Sequence, residues 1–215
     1  MNVIVIGATG GSGRAACDAL LDRGHRVTAV SRHATRLPAR AGLTRLDLDA
    51  SDAGALTRAL PGHDAVVVTL GISEPTLRVR LRGPRSTPGD IRSRGTAAIV
   101  AAARQAGIRR IVVQSSYGVG DTRDRATLAT RIFFALLIRP QIIDSEIQEG
   151  VIRGSGMDWT IVQPVYLTDT DETAHHVSED GSIRSHRVSR AAVGRVHAEL
   201  IETGASIGRT VSVSG

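Results

Sequence analysis

Short runs of consecutive apolar, mostly β-branched residues alternate along this chain with longer Ala-rich stretches in which apolar positions recur every three or four residues. Runs of the first kind predict strands, and stretches of the second kind predict amphipathic helices. Strands are expected at Val3–Ile6, Val27–Val30, Leu43–Leu46, Ala65–Thr69, Ile111–Gln114, Trp159–Val162 and Thr210–Val213. Helices are expected at Ser12–Asp22, Asp52–Leu60, Asp90–Gln105, Gln141–Arg153 and Ser189–Glu202. Strands that are apolar at every position bury both faces, and a helical crossover returns the chain to begin the next strand in parallel. The pattern predicts an α/β fold, a doubly wound parallel sheet of about seven strands in a single domain across residues 1–215.

Two segments interrupt the alternation and are expected as loop insertions, near residues 73–90 and 121–140. The first, SEPTLRVRLRGPRSTPGD, is rich in Pro, Gly and Arg; its TLRVRLR run alternates polar and apolar and allows a short edge strand. Its Arg78, Arg80, Arg82 and Arg85 either clamp an anionic substrate or blunt that edge. The second carries RIFFALLIRP, whose Ile132, Phe133, Phe134 and Leu137 either line a pocket or pack structurally. Both segments follow the C-terminal end of a strand, the edge at which open α/β sheets take up ligands.

The stretch IVIGATGGSGRAA sets Gly7, Gly10 and Gly13 directly after the first strand and into the first helix. The first glycine permits a tight turn, the second lets backbone N–H groups approach a pyrophosphate, and the third lets the helix pack on the strand. In this strand-to-helix context Gly7, Thr9, Gly10, Gly11, Ser12 and Gly13 are expected to hold a dinucleotide. NAD-selective sites place a carboxylate at the end of the second strand, where it bonds the ribose 2′-hydroxyl. Here Ser31 and Arg32 stand in its place, with Arg36 one helical turn further. A guanidinium pairs a phosphate bidentately, so NADP(H) is the expected cofactor; solvated surface charge is the competing explanation for both arginines. At the end of the third strand Asp47 can accept from an adenine amino group while Leu48 covers the ring. Gly71, closing VVVTLG, lets the backbone approach the ribose.

With the motifs GATGGSG, DLD, VTLG, RGTAAIVAAARQAGIRRIVVQSS, GSGMDWTIVQP and SRAAVG in place along nearly the whole chain, the sequence resembles the atypical short-chain dehydrogenases/reductases. Within them it is similar to the NAD(P)H-binding group that includes biliverdin-IXβ/flavin reductase-like and NmrA-like proteins. The resemblance implies a Rossmann-like fold, with the pyrophosphate over Gly7–Gly13, the 2′-phosphate on Arg32 and Arg36, and the adenine beside Asp47 and Leu48. It implies that Thr69, Leu70 and Gly71 lie along the ribose, that Gln163, Pro164 and Val165 flank the nicotinamide, and that Ser115 faces the cofactor. Ser116 falls on the family's active-site Ser/Thr, with Tyr117 beside it.

The chain also departs from that family. It contains no lysine, and where the family's Tyr-x-x-x-Lys is expected it reads Gln141-Ile142-Ile143-Asp144-Ser145, with Ser145 at the lysine position. Gln163 replaces the frequent Arg of the RP motif. In the complete dyad an ammonium lowers the tyrosine pKa, so Tyr117 here is an unactivated proton donor. If Ser116, Tyr117 and Ser145 catalyse, they do so by orientation.

Composition narrows the remaining classes. A 41% hydrophobic, 2% aromatic chain builds its core from Val, Ile, Leu and Ala. The net charge of +6 comes entirely from arginines scattered along the chain, and the absence of a basic tract, of a helix-turn-helix pattern and of stacking aromatics argues against nucleic acid. Cys17 sits among alanines as a packed small residue. No apolar run approaches the ~18 residues of a membrane span, and MNVIVIG lacks a basic n-region, so a cytoplasmic protein without membrane attachment is expected. No metal is expected: Glu172, His175 and His176 read as a solvated loop. Asp144, Glu146 and Glu149 read as the exposed face of their helix, with Asp144 able to face the pocket mouth. Self-association is left open. The expected partner is a small molecule, a conjugated acceptor such as a flavin, quinone or polyketide-like aromatic to which an NADPH-dependent reductase passes hydride. The alternatives are an NADP-sensing regulatory protein without turnover, and non-redox epimerase, isomerase or cyclase chemistry on the same scaffold.

Overall fold

The computed structural model describes residues 1–71, 87–125 and 139–215. All seven expected strands form: β1 (Asn2–Ile6), β2 (Arg26–Ser31), β3 (Leu43–Asp47), β4 (Ala65–Val68), β5 (Arg110–Gln114), β6 (Asp158–Pro164) and, last in the chain, β10 (Arg209–Ser214). They pair in the order β3-β2-β1-β4-β5-β6-β10, every pair parallel. The order reverses between β1 and β4, which leaves a crevice at the carboxyl ends of those two strands.

Alternation along each strand sends successive side chains to opposite faces and so builds two cores. Val3, Val5, Val27, Ala29 and Val67 face the layer made by α1 (Gly11–Asp22) and α5 (Arg190–Thr203). Ile4, Ile6, Val30, Val66 and Val68 face the layer of α2 (Ala53–Ala59), α3 (Ile91–Gln105) and α4 (Arg139–Arg153). Each such Val or Ile stabilises the fold by roughly 1.5–3 kcal/mol on burial. Local chemistry fixes the helix ends. Asp52 caps α2 by accepting from Ala55 N at 2.9 Å, Ser189 caps α5 by accepting from Ala192 N at 2.9 Å, and Gly204, at φ +61°, closes α5. The α1 and α5 backbones touch at Gly194, where a β-carbon would stand 2.4 Å from the Ala15 carbonyl oxygen.

Three short strands depart from the expected all-parallel sheet. β8 (His176–Ser178) pairs antiparallel with β10 and closes that edge, so the sheet is mixed and His176 belongs to a strand rather than a loop. β7 (Tyr166–Thr168) and β9 (Arg187–Ser189) form a separate two-stranded parallel ribbon. A second departure concerns α4. Its inward face carries Asp144, Ser145, Gln148, Glu149 and Ile152, all buried, while Ile143 and Ile147 are exposed. The expectation that Asp144 and Glu149 lie on a solvated face is therefore corrected, because both carboxylates find partners inside. The expected roles of Arg78, Arg80, Arg82 and Arg85, and of Ile132, Phe133, Phe134 and Leu137, fall outside the described residues. Among the described residues no helix is long and apolar enough to cross a membrane.

Candidate active site

The crevice between β1 and β4 opens into a cleft of about 600 Å³. Its floor is the turn from Gly7 to Ser12. Gly7 has φ +94°, and a β-carbon there would stand 2.7 Å from the Thr69 carbonyl oxygen; one on Gly13 would stand 2.3 Å from the Gly7 carbonyl oxygen. Only glycine lets β1, the turn and α1 close this tightly. Gly10 precedes α1 with no side chain capping the helix, so its first-turn N–H groups are left to whatever occupies the cleft. Gln114, buried at the end of β5, donates to Ser12 Oγ at 3.2 Å, yet its own Oε1 has no partner among the described residues. Uncapped helix N–H groups and an orphaned buried oxygen are what a polyanionic dinucleotide with ribose hydroxyls would complete, so the residues present fit that cofactor.

Of the residues expected at a cofactor, Gly7, Thr9, Gly10, Gly11, Ser12, Arg32, Leu48, Thr69, Leu70 and Gly71 line this cleft together. Arg32 reaches across it to donate to Thr87 Oγ1 at 2.9 Å. Gly13 lies behind the floor as the packing contact just described. Arg36 sits in a 3-10 turn (Ala34–Arg36) away from the cleft wall. Asp47 is turned toward that same turn and accepts from Thr35 N and Thr35 Oγ1, both at 2.8 Å. These bonds hold its carboxyl below the usual carboxylate range. On that side of the cleft the lining acid is Asp49, two residues on; accepting from Ser51, it too is held low.

The remaining expected residues belong to a second cluster, at the ends of β5 and β6. Ser115 N and Tyr117 N donate to Val162 O and Pro164 O at 2.8 and 3.0 Å, prolonging the β5–β6 ladder into the turn. Ser115 Oγ donates to Glu149 Oε1 at 2.6 Å, and Gln163 Nε2 donates to the same oxygen at 2.7 Å and to Val119 O at 2.8 Å. Thr122 Oγ1 donates to Gln163 Oε1 at 2.7 Å, and Arg153 Nη2 donates to Glu149 Oε2 at 3.0 Å. Ser145 Oγ is spent within its own helix on Gln141 O at 2.9 Å. Pro164 and Val165 are buried, with Val165 N bonded to Val213 O at 3.0 Å. Tyr117 donates its phenol to Gly181 O at 3.2 Å, and burial pushes its pKa up, the reverse of an activated tyrosine. Ser116, partly buried, is the one hydroxyl of the Ser-Ser-Tyr turn without a hydrogen bond among the described residues.

Several cleft residues escape sequence reasoning: Asp49, Thr87, Arg92 and Gln114, and on the far wall Leu167, Asp169 and Arg190, which the β7–β9 ribbon brings over α1. Glu149 carried a signal, lying one helical turn after Ser145 and so on its face.

Comparison with known proteins bears on the family and the fold. The chain is 30% identical over 187 residues to a (4-alkanoyl-5-oxo-2,5-dihydrofuran-3-yl)methyl phosphate reductase of Streptomyces griseus, a match covering 85% of this chain and 54% of that protein. It is 37% identical over 126 residues to a 3-diazoavenalumate denitrifying reductase of a Streptomyces species, covering 54% of this chain and 38% of the relative. This chain thus spans about half or less of the length of these curated relatives. Its fold superposes with a TM-score of 0.82 on a short-chain dehydrogenase/reductase of Veillonella parvula solved in complex with NADP, at 18% identity, covering 100% of this chain and 94% of that one. A family model described as NAD(P)H-binding matches residues 7–203, from the first glycine of the cleft floor to the end of α5, and the chain belongs to that NAD(P)H-binding family.

Proposed function

We propose that this chain is an NADPH-dependent reductase that passes hydride to a small conjugated acceptor. The observation that carries this reading is Arg32. A guanidinium, not a carboxylate, stands on the cleft wall at the end of β2, where it favours a 2′-phosphate over a free 2′-hydroxyl. The names of the two Streptomyces relatives, both reductases, support the reaction class.

NADPH held in the cleft would supply the hydride, and the reduced acceptor would need one further proton. Tyr117 is committed to Gly181 O and Ser145 to Gln141 O, so that proton comes from solvent, and Ser116 is left to orient the acceptor. An acceptor that spreads charge through a conjugated system suits such a site, because it does not need protonation in step with hydride arrival.

Arg32→Ala tests the cofactor assignment. It should weaken NADPH by about tenfold or more while changing NADH little, as measured by titration of nicotinamide fluorescence. Equal weakening of both would remove the 2′-phosphate contact. The committed hydroxyls favour a second reading, an NADP sensor without turnover. Tight NADPH binding with no NADPH oxidation across flavins, quinones and conjugated carbonyls would select it.

A further inference from the structure

The cleft holds more guanidinium groups than a nicotinamide dinucleotide needs. Arg32 takes the 2′-phosphate in the reading above. Arg190, at the start of α5, donates Nη1 to Asp169 Oδ1 at 2.6 Å. Its stem lies against Gly11, where a β-carbon would stand 2.5 Å from Arg190 Cδ. This guanidinium and the uncapped first turn of α1 therefore flank the pyrophosphate position together.

Arg92 is the third. It sits in the first turn of α3, partly buried, on the cleft wall, with Nη2 3.1 Å from where a Gly71 β-carbon would be. Among the described residues nothing accepts a hydrogen bond from its guanidinium, whereas Arg32 has Thr87 and Arg190 has Asp169. The acid whose field it feels, Asp144 of α4, is already spent. Its Oδ2 accepts from Arg92 N at 3.0 Å, and its Oδ1 accepts from Ser93 N at 3.1 Å and from the Ser93 hydroxyl. Asp144 thus caps α3 and leaves the Arg92 side chain to the cleft. Burial holds the Arg92 pKa below its ordinary value, with Asp144 opposing. A guanidinium drawn from water without an acceptor is costly, and a bound oxyanion is what returns that cost.

Resting on the reductase reading, we propose that Arg92 recognises the acceptor, binding a phosphate or carboxylate that the conjugated molecule carries. The dinucleotide's own anions are already matched by Arg32 and by α1 with Arg190. Gly71, without a β-carbon, lets the guanidinium lie against the end of β4, and the fork is shaped to grip an oxyanion with two parallel hydrogen bonds. Through Asp144 the Arg92 main chain is fastened to α4, whose Glu149 also anchors the Ser115 turn, so the oxyanion grip is built from the frame that carries Ser116.

Flavin mononucleotide and riboflavin, which differ only in a terminal phosphate, provide the test. Binding of each to the full chain saturated with NADP⁺ is followed by flavin fluorescence, and NADPH-dependent reduction of each is followed separately. The mononucleotide should bind about tenfold or more tightly than riboflavin. Arg92→Met should bring the ratio to about one, Arg92→Lys should retain part of it, and the NADPH Kd of Arg92→Met should stay within about twofold of the parent. Equal binding of the two flavins by the unaltered protein overturns the proposal. So does a tenfold loss of NADPH affinity in Arg92→Met, which would give the guanidinium to the cofactor. A phosphate preference in binding without any flavin reduction removes the reductase reading and keeps the oxyanion site.

Discussion

Two turns leave the same edge of the sheet, one after β1 and one after β5, and they are built on opposite principles. Among the described residues no side chain caps α1 at the turn from Gly7 to Gly13, and the buried Gln114 Oε1 beside it has no partner. The turn from Ser115 to Gly120 closes on itself: Glu149, Gln163, Thr122 and Arg153 satisfy one another and Ser115. Burying a polar group without a partner costs about 1–3 kcal/mol, so one left unpaired at a cleft is a place where a ligand supplies the missing bond. A fully connected network is scaffold, and it fixes the backbone that presents Ser116.

The strongest way to break this contrast is at Gly13. A β-carbon there overlaps the Gly7 carbonyl oxygen, which is backbone and cannot swing away. Gly13→Ala should displace α1 from the turn and lower NADPH affinity about a hundredfold, measured by fluorescence titration on protein whose fold is checked by circular dichroism. Affinity within twofold of the parent would mean that the cofactor does not depend on this floor.

The next largest effect belongs to the closed turn. Glu149 is 1% exposed, and removing its carboxylate strands Ser115 Oγ and takes one bond each from Gln163 Nε2, which keeps Val119 O, and from Arg153. Glu149→Leu should cost about 3 kcal/mol of stability in urea denaturation, the low end for a broken buried pair, because Arg153 is partly exposed and keeps Asp121 at 2.9 Å. NADPH affinity should change by no more than about twofold. A parallel loss of affinity and stability would make the β5 turn part of the cofactor site and erase the distinction.

The open turn was legible in the sequence and the closed one was not, for a physical reason. Gly7, Gly10 and Gly13 act through the absence of side chains at fixed spacing between a strand and a helix, a local property that the chain displays directly. The seven core strands and the five helices among the described residues were legible on the same ground, since their periodicity is local. Glu149 acts through partners 34 and 14 residues away, in the turn after β5 and on β6. Its helix buries polar residues and exposes Ile143 and Ile147, inverting the amphipathic rule on which sequence reading depends. The β7–β9 ribbon is likewise non-local, two three-residue strands that pair only once the chain has folded, and with it went Leu167, Asp169 and Arg190. Arg92 was hidden because only the folded chain shows that no acceptor among the described residues meets its guanidinium.

The smallest effect sharpens the contrast most, because it concerns the residue that looks most catalytic. Tyr117 lies in the closed turn with its phenol on Gly181 O, and its pKa is raised by burial against the opposing pull of Arg125. A phenol raised in this way stays protonated throughout the neutral range, and with burial outweighing the Arg125 charge it is a poor general acid. Tyr117→Phe should therefore remove one hydrogen bond, worth about 1 kcal/mol in urea denaturation, while kcat for flavin reduction stays within about twofold from pH 6 to 9. If Tyr117 supplied the proton, kcat would fall by a hundredfold or more at every pH below the tyrosine pKa, and the alkaline limb of the parent's profile would vanish with it. A structural phenol gives the stability loss alone, with the pH profile unmoved.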